Sequence, residues 1–384
     1  MGRVIIVRHE TEHPALYGAA SALVAAREGG SLFWPPARFD LDRHPDAVQH
    51  VAAEGALVPS GLIWADRLTG RPARPLAEFD GKGLAVVPLH PAFLAEPEAT
   101  ARLIAAGAEQ RTVRLVADRF VDEAGRVIGW RDCLGRVLGE AAAEAEPLDV
   151  AFTIAGPASQ FLETCPAPLA ALGDAIEAEA PGGALRFLDP RDLPEDPLAG
   201  VDGLLLPGGS QMSAVAGQIA LARAARRQGV PIVGLCLGMQ SMATAVAREL
   251  PGWEDTDMAE ATRAAARHSF IRIETGEHRL GVRTTRPIIG SRMAQILGGR
   301  TDIACNHRYR LAPALHDRLV SRGVRISALG GAPGEDIADA IEAAEGFYMG
   351  MQGHPELASR PGQPHPLLRA FVIETRKAAR RRVA

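Results

Sequence analysis

The chain has 384 residues, 47% hydrophobic and 23% charged, with a formal net charge of −4. It can bury cores for two domains, holds no general attraction for nucleic acid, and has no run approaching the roughly 18 apolar residues of a membrane span. Its four cysteines, Cys133, Cys165, Cys236 and Cys305, show neither metal-ligand spacing nor a disulfide framework. A reducing, cytoplasmic setting with no metal or other cofactor is expected.

Residues 3–7 read as a first strand and run into Arg8-His9-Glu10-Thr11-Glu12. Those charges interrupt the only apolar start, so no signal peptide is expected. The pentapeptide is similar to the phosphohistidine motif of histidine phosphatases, but it lacks the glycine that follows the histidine there, and no second catalytic His and Arg pair is evident. A plain strand-to-loop junction is the expected reading. A buried strand over 83–89, a helix over 96–106, and a hairpin pairing 111–120 with 126–130 around Asp122-Glu123-Ala124-Gly125 complete a small α/β or α+β domain. No internal repeat is evident. The Ala/Glu stretch ending at Pro147 marks a linker, which divides an N-terminal domain of unknown role, 1–147, from residues 148–384.

Beyond Pro147, strand signals at 150–154, 201–206 and 230–235 alternate with helix signals. One of these is an amphipathic helix over 214–227 that places Arg223, Arg226 and Arg227 outside. Such alternation predicts an α/β fold, a mostly parallel sheet with helices on both faces, in which ligands bind at the carboxyl ends of strands. The basic tail at 376–382 reads as a solvated helix end beside the negative dipole terminus.

The residues that carry chemistry lie in this second region. The strand over 230–235 and an apolar-rich helix over 237–250 leave Cys236 on the sharp turn between them, within Gly234-Leu235-Cys236-Leu237-Gly238-Met239-Gln240. A helix start favours an anionic side chain, and Gly234 and Gly238 are expected to give the backbone room for strained dihedrals. A free cysteine is otherwise most often a small buried apolar residue. His354 and Glu356 follow the strand-like run 347–352 in Gly353-His354-Pro355-Glu356. From an extended backbone their side chains would point the same way, so that the carboxylate fixes the imidazole tautomer and stabilises the imidazolium. The strand at 201–206 ends in Pro207-Gly208-Gly209. This is either an ordinary strand-terminating turn or one that presents a bare amide, with the N–H groups of Gly209 and Leu237 as the obvious oxyanion pair.

These segments, in this order, resemble the class I glutamine amidotransferase domain, in particular the glutaminase half of CTP synthase, from near Leu148 to the C-terminus. Cys305-Asn306-His307-Arg308-Tyr309-Arg310 is similar to the family's His-Arg-Tyr segment, and residues 359–368 are similar to the stretch that closes its domain. The resemblance implies a Cys236–His354–Glu356 triad with Gly209 and Leu237 as oxyanion donors. It also implies Arg308 on the glutamine α-carboxylate, Glu260 on its ammonium, and Gly208 and Gln240 among the substrate-binding positions. Residues 253–264 depart from the family's wording, and Ser210-Gln211 stands where it continues Phe-Gly, so the lid over the glutamine site is expected to close differently. The family's phosphate loop has only Gly81-Lys82-Gly83 as an echo, without upstream glycines or serines, so the chain is not expected to make CTP by itself.

The implied reaction is hydrolysis of the glutamine side-chain amide through a cysteine thioester. The implied partners are L-glutamine and an ammonia acceptor on the N-terminal domain or a partner synthase, with a homo-oligomer as one arrangement. Two alternatives stay open on the residues alone: a γ-glutamyl hydrolase acting on larger amides, and a non-catalytic glutamine-binding scaffold.

Overall fold

The computed structural model describes residues 2–52, 55–92, 101, 103–105, 107–299, 301–331 and 334–383. They form two compact units. The first comprises Met1–His50, Leu57–Glu144 and Ala158–Gly173, and the second Val51–Ala56, Ala145–Pro157 and Asp174–Ala384.

In the first unit, β1 (Arg3–His9) buries Ile5, Ile6 and Val7 and leads into α1 (Pro14–Glu28), and a shorter helix, α2 (Ile63–Thr69), comes later in the same unit. Helix α1 starts on Pro14 and ends on Gly29, whose φ of 70° closes it with an N–H bond to Ala25 O. Strands β2 (Ser31–Trp34), β3 (Arg74–Pro75), β4 (Leu84–Pro88), β5 (Glu109–Val116), β6 (Arg119–Val121), β7 (Val127–Arg131) and β8 (Val137–Leu138) complete one sheet in the order β8-β7-β6-β5-β1-β4-β2-β3. It is parallel from β3 to β5 and antiparallel from β5 to β8. Of the helix expected over 96–106, residues 96–100, 102 and 106 lie outside the described residues.

The strand expected over 111–120 is broken. The chain turns at Ala117, which takes a left-handed φ of 54°, so β5 pairs with β6 before β6 pairs with β7. The second turn then repeats. Asp122 accepts the N–H groups of Ala124 (3.0 Å) and Arg126 (2.9 Å) and the Arg126 Nε–H (2.8 Å). Asp132 does the same with Leu134 (3.0 Å), Arg136 (2.8 Å) and Arg136 Nε (2.8 Å). Asp122-Glu123-Ala124-Gly125-Arg126-Val127 and Asp132-Cys133-Leu134-Gly135-Arg136-Val137 are therefore a short internal repeat, against the sequence expectation of none. Gly81-Lys82-Gly83 is a turn entering β4, with Lys82 N–H on Asp80 Oδ1 (2.9 Å), and not a strand-to-helix phosphate loop.

The second unit is built on β9 (Leu148–Ala155), β10 (Gly183–Leu188), β11 (Gly203–Leu206) and β12 (Ile232–Leu235). A three-stranded sheet follows, formed by β13 (Asp257–Met258), β14 (His268–Arg272) and later β17 (Tyr309–Leu311). The main sheet is completed by β15 (Arg279–Pro287), β16 (Thr301–His307), β18 (Val324–Gly330), β19 (Ile337–Ala343) and β20 (Tyr348–Met351), in the order β10-β9-β11-β12-β20-β19-β18-β15-β16. Its first five strands are parallel and the rest antiparallel. The helices are α3 (Ala167–Glu179), divided between the units at Gly173, α4 (Val215–Gln228), α5 (Leu237–Ala247), α6 (Arg292–Leu297) and α7 (Pro366–Val383).

Alternation along β11 assigns the faces. Leu204 and Leu206 join the apolar cluster formed with α4 and α5, while a Cβ at Gly203 would stand 2.1 Å from Thr375 Oγ1 on α7. Arg223 and Arg227 are exposed as expected. Arg226 is half-buried, because its guanidinium pairs with Glu249 (2.7 Å) and caps the Arg322 carbonyl. The basic end of α7 is likewise partly tied down, with Arg376 donating to Glu179 O (2.8 Å) and Arg382 paired with Asp202. Among the described residues no helix is long and apolar enough to cross a membrane.

Candidate active site

Three carboxyl ends of neighbouring parallel strands converge in the second unit. Between β12 and α5, Cys236 takes φ 47° and ψ −106°, a conformation a side chain adopts only when the surroundings enforce it. Its N–H donates to Met351 O (2.8 Å) on β20, and its carbonyl accepts the Gln240 N–H (3.1 Å). Gly234 and Gly238 serve close packing and not unusual dihedrals: a Cβ at Gly238 would stand 2.1 Å from Leu206 O, and one at Gly234 2.5 Å from Met242 Sδ. The strain sits on the cysteine itself. Leu237 is the first helical residue, so its N–H has no acceptor within α5.

His354 follows β20, with its N–H on Ala304 O (2.7 Å). Its Nδ1–H donates to Glu356 Oε1 (2.7 Å), and both side chains are buried. That bond leaves Nε2 as the basic nitrogen, buried and, among the described residues, without a hydrogen-bond partner of normal geometry. Glu356 lies in a short helical turn, Pro355–Ala358, and not on the extended backbone expected, because Pro355 starts the turn. Burial opposes a charge on His354, but Glu356 and then Cys236 outweigh it and hold the imidazole well above its ordinary value. Gly208 lies between the two reactive side chains: a Cβ there would be 3.1 Å from His354 Cε1 and 3.2 Å from Cys236 Cβ. Gly209, next in the turn, has φ 148°.

The remaining expected residues are spread more widely. Gln240, in the first turn of α5, is buried, and its Oε1 has no hydrogen-bond partner among the described residues. Arg308 is exposed on the bend between β16 and β17, and its backbone carbonyl accepts the Ile273 N–H (2.9 Å). Glu260 is also exposed, in a turn after β13 and not on a helix. Neighbouring protein raises its carboxyl by stripping water, and the Arg308 charge opposes this, so the two groups sense one another.

Several groups here escaped the sequence reading. Gln352 is fully buried and donates from Nε2 to Cys236 Sγ (3.7 Å); the one signal was a polar residue closing an apolar strand. Asn306 O lies 4.0 Å from the same sulfur. Behind them, Arg279 and Asp339 form a buried ion pair (2.5 Å), joined by the Thr285 hydroxyl. Arg279 also donates to His307 Nε2 (3.2 Å), so His307 Nδ1–H donates to Tyr309 O (2.9 Å). Burial and then Arg279 push His307 down to about 3, which keeps it neutral. No local pattern signals a network drawn from β15, β16 and β19.

Residues 188–374 match the family described as glutamine amidotransferase class-I. The chain is similar to CTP synthase of Saccharopolyspora erythraea, 36% identical over 203 residues, covering 48% of this chain and 35% of the relative. It is likewise similar to CTP synthase of Bradyrhizobium diazoefficiens, 34% identical over 202 residues, covering 46% and 36%. The chain thus spans about a third of the length of these relatives. Among solved structures, the glutaminase domain of Trypanosoma brucei CTPS with bound acivicin matches with a TM-score of 0.55 at 23% identity, covering 59% of this chain and 94% of that one, a likeness of fold. Residues 188–374 are therefore a class I glutamine amidotransferase domain, similar to the glutaminase region of CTP synthases.

Proposed function

We propose that residues 148–384 hydrolyse the side-chain amide of L-glutamine through Cys236, His354 and Glu356. The observation that carries this reading is the elbow. Cys236 sits at φ 47° on the start of α5, with Gly208 holding the space between it and a His354 already oriented by Glu356. Nε2 of His354 takes the Cys236 thiol proton and becomes part of an imidazolium, the sulfur attacks the amide carbon of glutamine, a C–S bond forms, and the carbonyl electron pair moves to oxygen, where the N–H groups of Gly209 and Leu237 receive it. Collapse breaks the C–N bond as the His354 imidazolium gives its proton to the leaving nitrogen, releasing ammonia. Water, deprotonated by His354, then attacks the γ-glutamyl thioester; the C–S bond breaks, the electron pair returns to sulfur, and glutamate leaves. Arg308 and Glu260 grip the α-carboxylate and α-ammonium of the substrate, with Gly208 and Gln240 lining its amide end.

Ammonia released in this way passes to an acceptor on residues 1–147 or to a partner synthase in a reducing, cytoplasmic compartment. Glutamate release from glutamine by the full chain and by Cys236→Ala tests the reading. Cysteine-dependent release supports it, and undiminished turnover by the variant overturns it. The exposure of both Arg308 and Glu260, with Ser210-Gln211 at the lid position, favours one second reading, a γ-glutamyl hydrolase with room for larger amides. Faster cleavage of such amides than of glutamine would select it. Glutamine binding with no release from either substrate would leave a sensing scaffold.

A further inference from the structure

We propose that Gln352 is a further catalytic residue of this centre, whose side-chain N–H holds the Cys236 sulfur as an anion and aims it at the substrate's amide carbon. The proposal rests on the reading of Cys236 as the nucleophile. Nε2 of Gln352 is 3.7 Å from Sγ, within hydrogen-bond reach of sulfur, and the residue is 0% exposed. The other amide atom, Oε1, is buried and takes no hydrogen bond from the described residues. A glutamine kept for packing satisfies both ends of its amide, and an apolar side chain of the same volume would remove the cost of a bare one. This amide instead meets the reactive atom with one end and leaves the other unpaired.

The backbone around Gln352 is fixed from both sides. Gln352 N–H donates to Asp339 O (2.7 Å) and His354 N–H to Ala304 O (2.7 Å). Asp339 is itself held by Arg279 and Thr285, and a Cβ at Gly330 would be 2.5 Å from the Arg279 guanidinium, so the pair packs directly against that glycine. The amide is thus presented from a rigid strand end.

An amide does not titrate. His354 must surrender its proton to the leaving nitrogen, and at that moment Gln352 remains a donor to sulfur. When the thioester later breaks and the C–S electron pair returns to sulfur, the same N–H receives it.

The test uses the full chain with Gln352→Met and Gln352→Glu, both close to glutamine in volume, beside Cys236→Ala. Two readouts are taken: kcat and KM for glutamate release, and the rate of iodoacetamide modification at Cys236, followed by mass spectrometry across pH. For Gln352→Met, kcat should fall roughly 10- to 100-fold with KM within about threefold, and the modification profile should move to higher pH. Gln352→Glu should lose more, because a carboxylate opposes the sulfur anion, and it carries the test if the methionine variant does not fold. An unchanged kcat and profile in the folded variants, or a loss confined to KM, overturns the proposal. Undiminished turnover by Cys236→Ala overturns the glutaminase reading instead. If the unmodified chain releases no glutamate, the modification profiles still decide the role of Gln352.

Discussion

Gly208 is the residue on which the site's geometry depends most directly, since the nearest neighbours of an added methyl would be His354 Cε1 at 3.1 Å and Cys236 Cβ at 3.2 Å. At those distances a neighbour shifts by tenths of an ångström and the chain still folds. Gly208→Ala should therefore lower kcat by about 100-fold while the melting temperature stays within a few degrees. Steady-state kinetics beside a thermal melt checks this, and parallel loss of both would make the glycine structural. Glu356 permits a test of sign. His354 is held well above the ordinary imidazole value of 6.5 by Glu356 and then Cys236, against burial, so the folded chain holds that proton more tightly than the unfolded chain. The stability this contributes is full below pH 6.5 and is lost as pH rises through the folded value. Glu356→Gln removes the partner and should flatten the fall in melting temperature on the alkaline side of pH 6.5. An unchanged slope would mean that Glu356 does not set the His354 charge.

The strand–elbow–helix unit was legible because its signals are local: an apolar run too short for a helix, a longer one behind it, and two glycines. What the glycines do was not legible, since the clash at Gly238 is with Leu206 O on another strand. Overpacking at backbone costs about 1–3 kcal/mol or more. Gly238→Ala should accordingly destabilise the chain by at least that amount in denaturant unfolding, with activity lost only in proportion to the unfolded fraction at moderate denaturant. Full stability in this variant would mean that β11 and α5 can separate freely. The same division between local and distant causes explains the other elements. The Asp122 turn was readable from four residues, and its copy at Asp132 carries the same local Asp and Gly-Arg-Val pattern ten residues on. The break at Ala117 carries no sequence mark, since alanine neither favours nor announces a left-handed φ. Gln352 and the Arg279–Asp339 pair depend on strand pairings between distant parts of the chain, which periodicity does not encode.

At the scale of the whole molecule, composition marks a single junction, at Pro147, whereas the compact units interleave: Ala158–Gly173 belongs with the first unit although the chain around it belongs with the second. Nothing in sixteen or so residues of ordinary apolar and polar mixture signals which core they join, because that choice is made by packing and not by pattern. Within the first unit this returning segment buries Phe161 and Leu169 completely, and a Cβ at Gly135 would be 2.4 Å from Leu169 Cδ2. A fragment cut at the junction, residues 148–384, would carry that apolar surface without the hairpins that cover it. Burying a phenylalanine or leucine side chain is worth about 1.5–3 kcal/mol, so exposing both is a large part of a domain's margin. The fragment should bind an apolar dye, melt below the full chain and regain its stability when residues 1–147 are supplied in trans. If it instead melts with the full chain and releases glutamate at the same rate, the returning segment contributes nothing to the glutaminase, and residues 148–384 stand as an autonomous catalytic domain whose partner is free to be another protein.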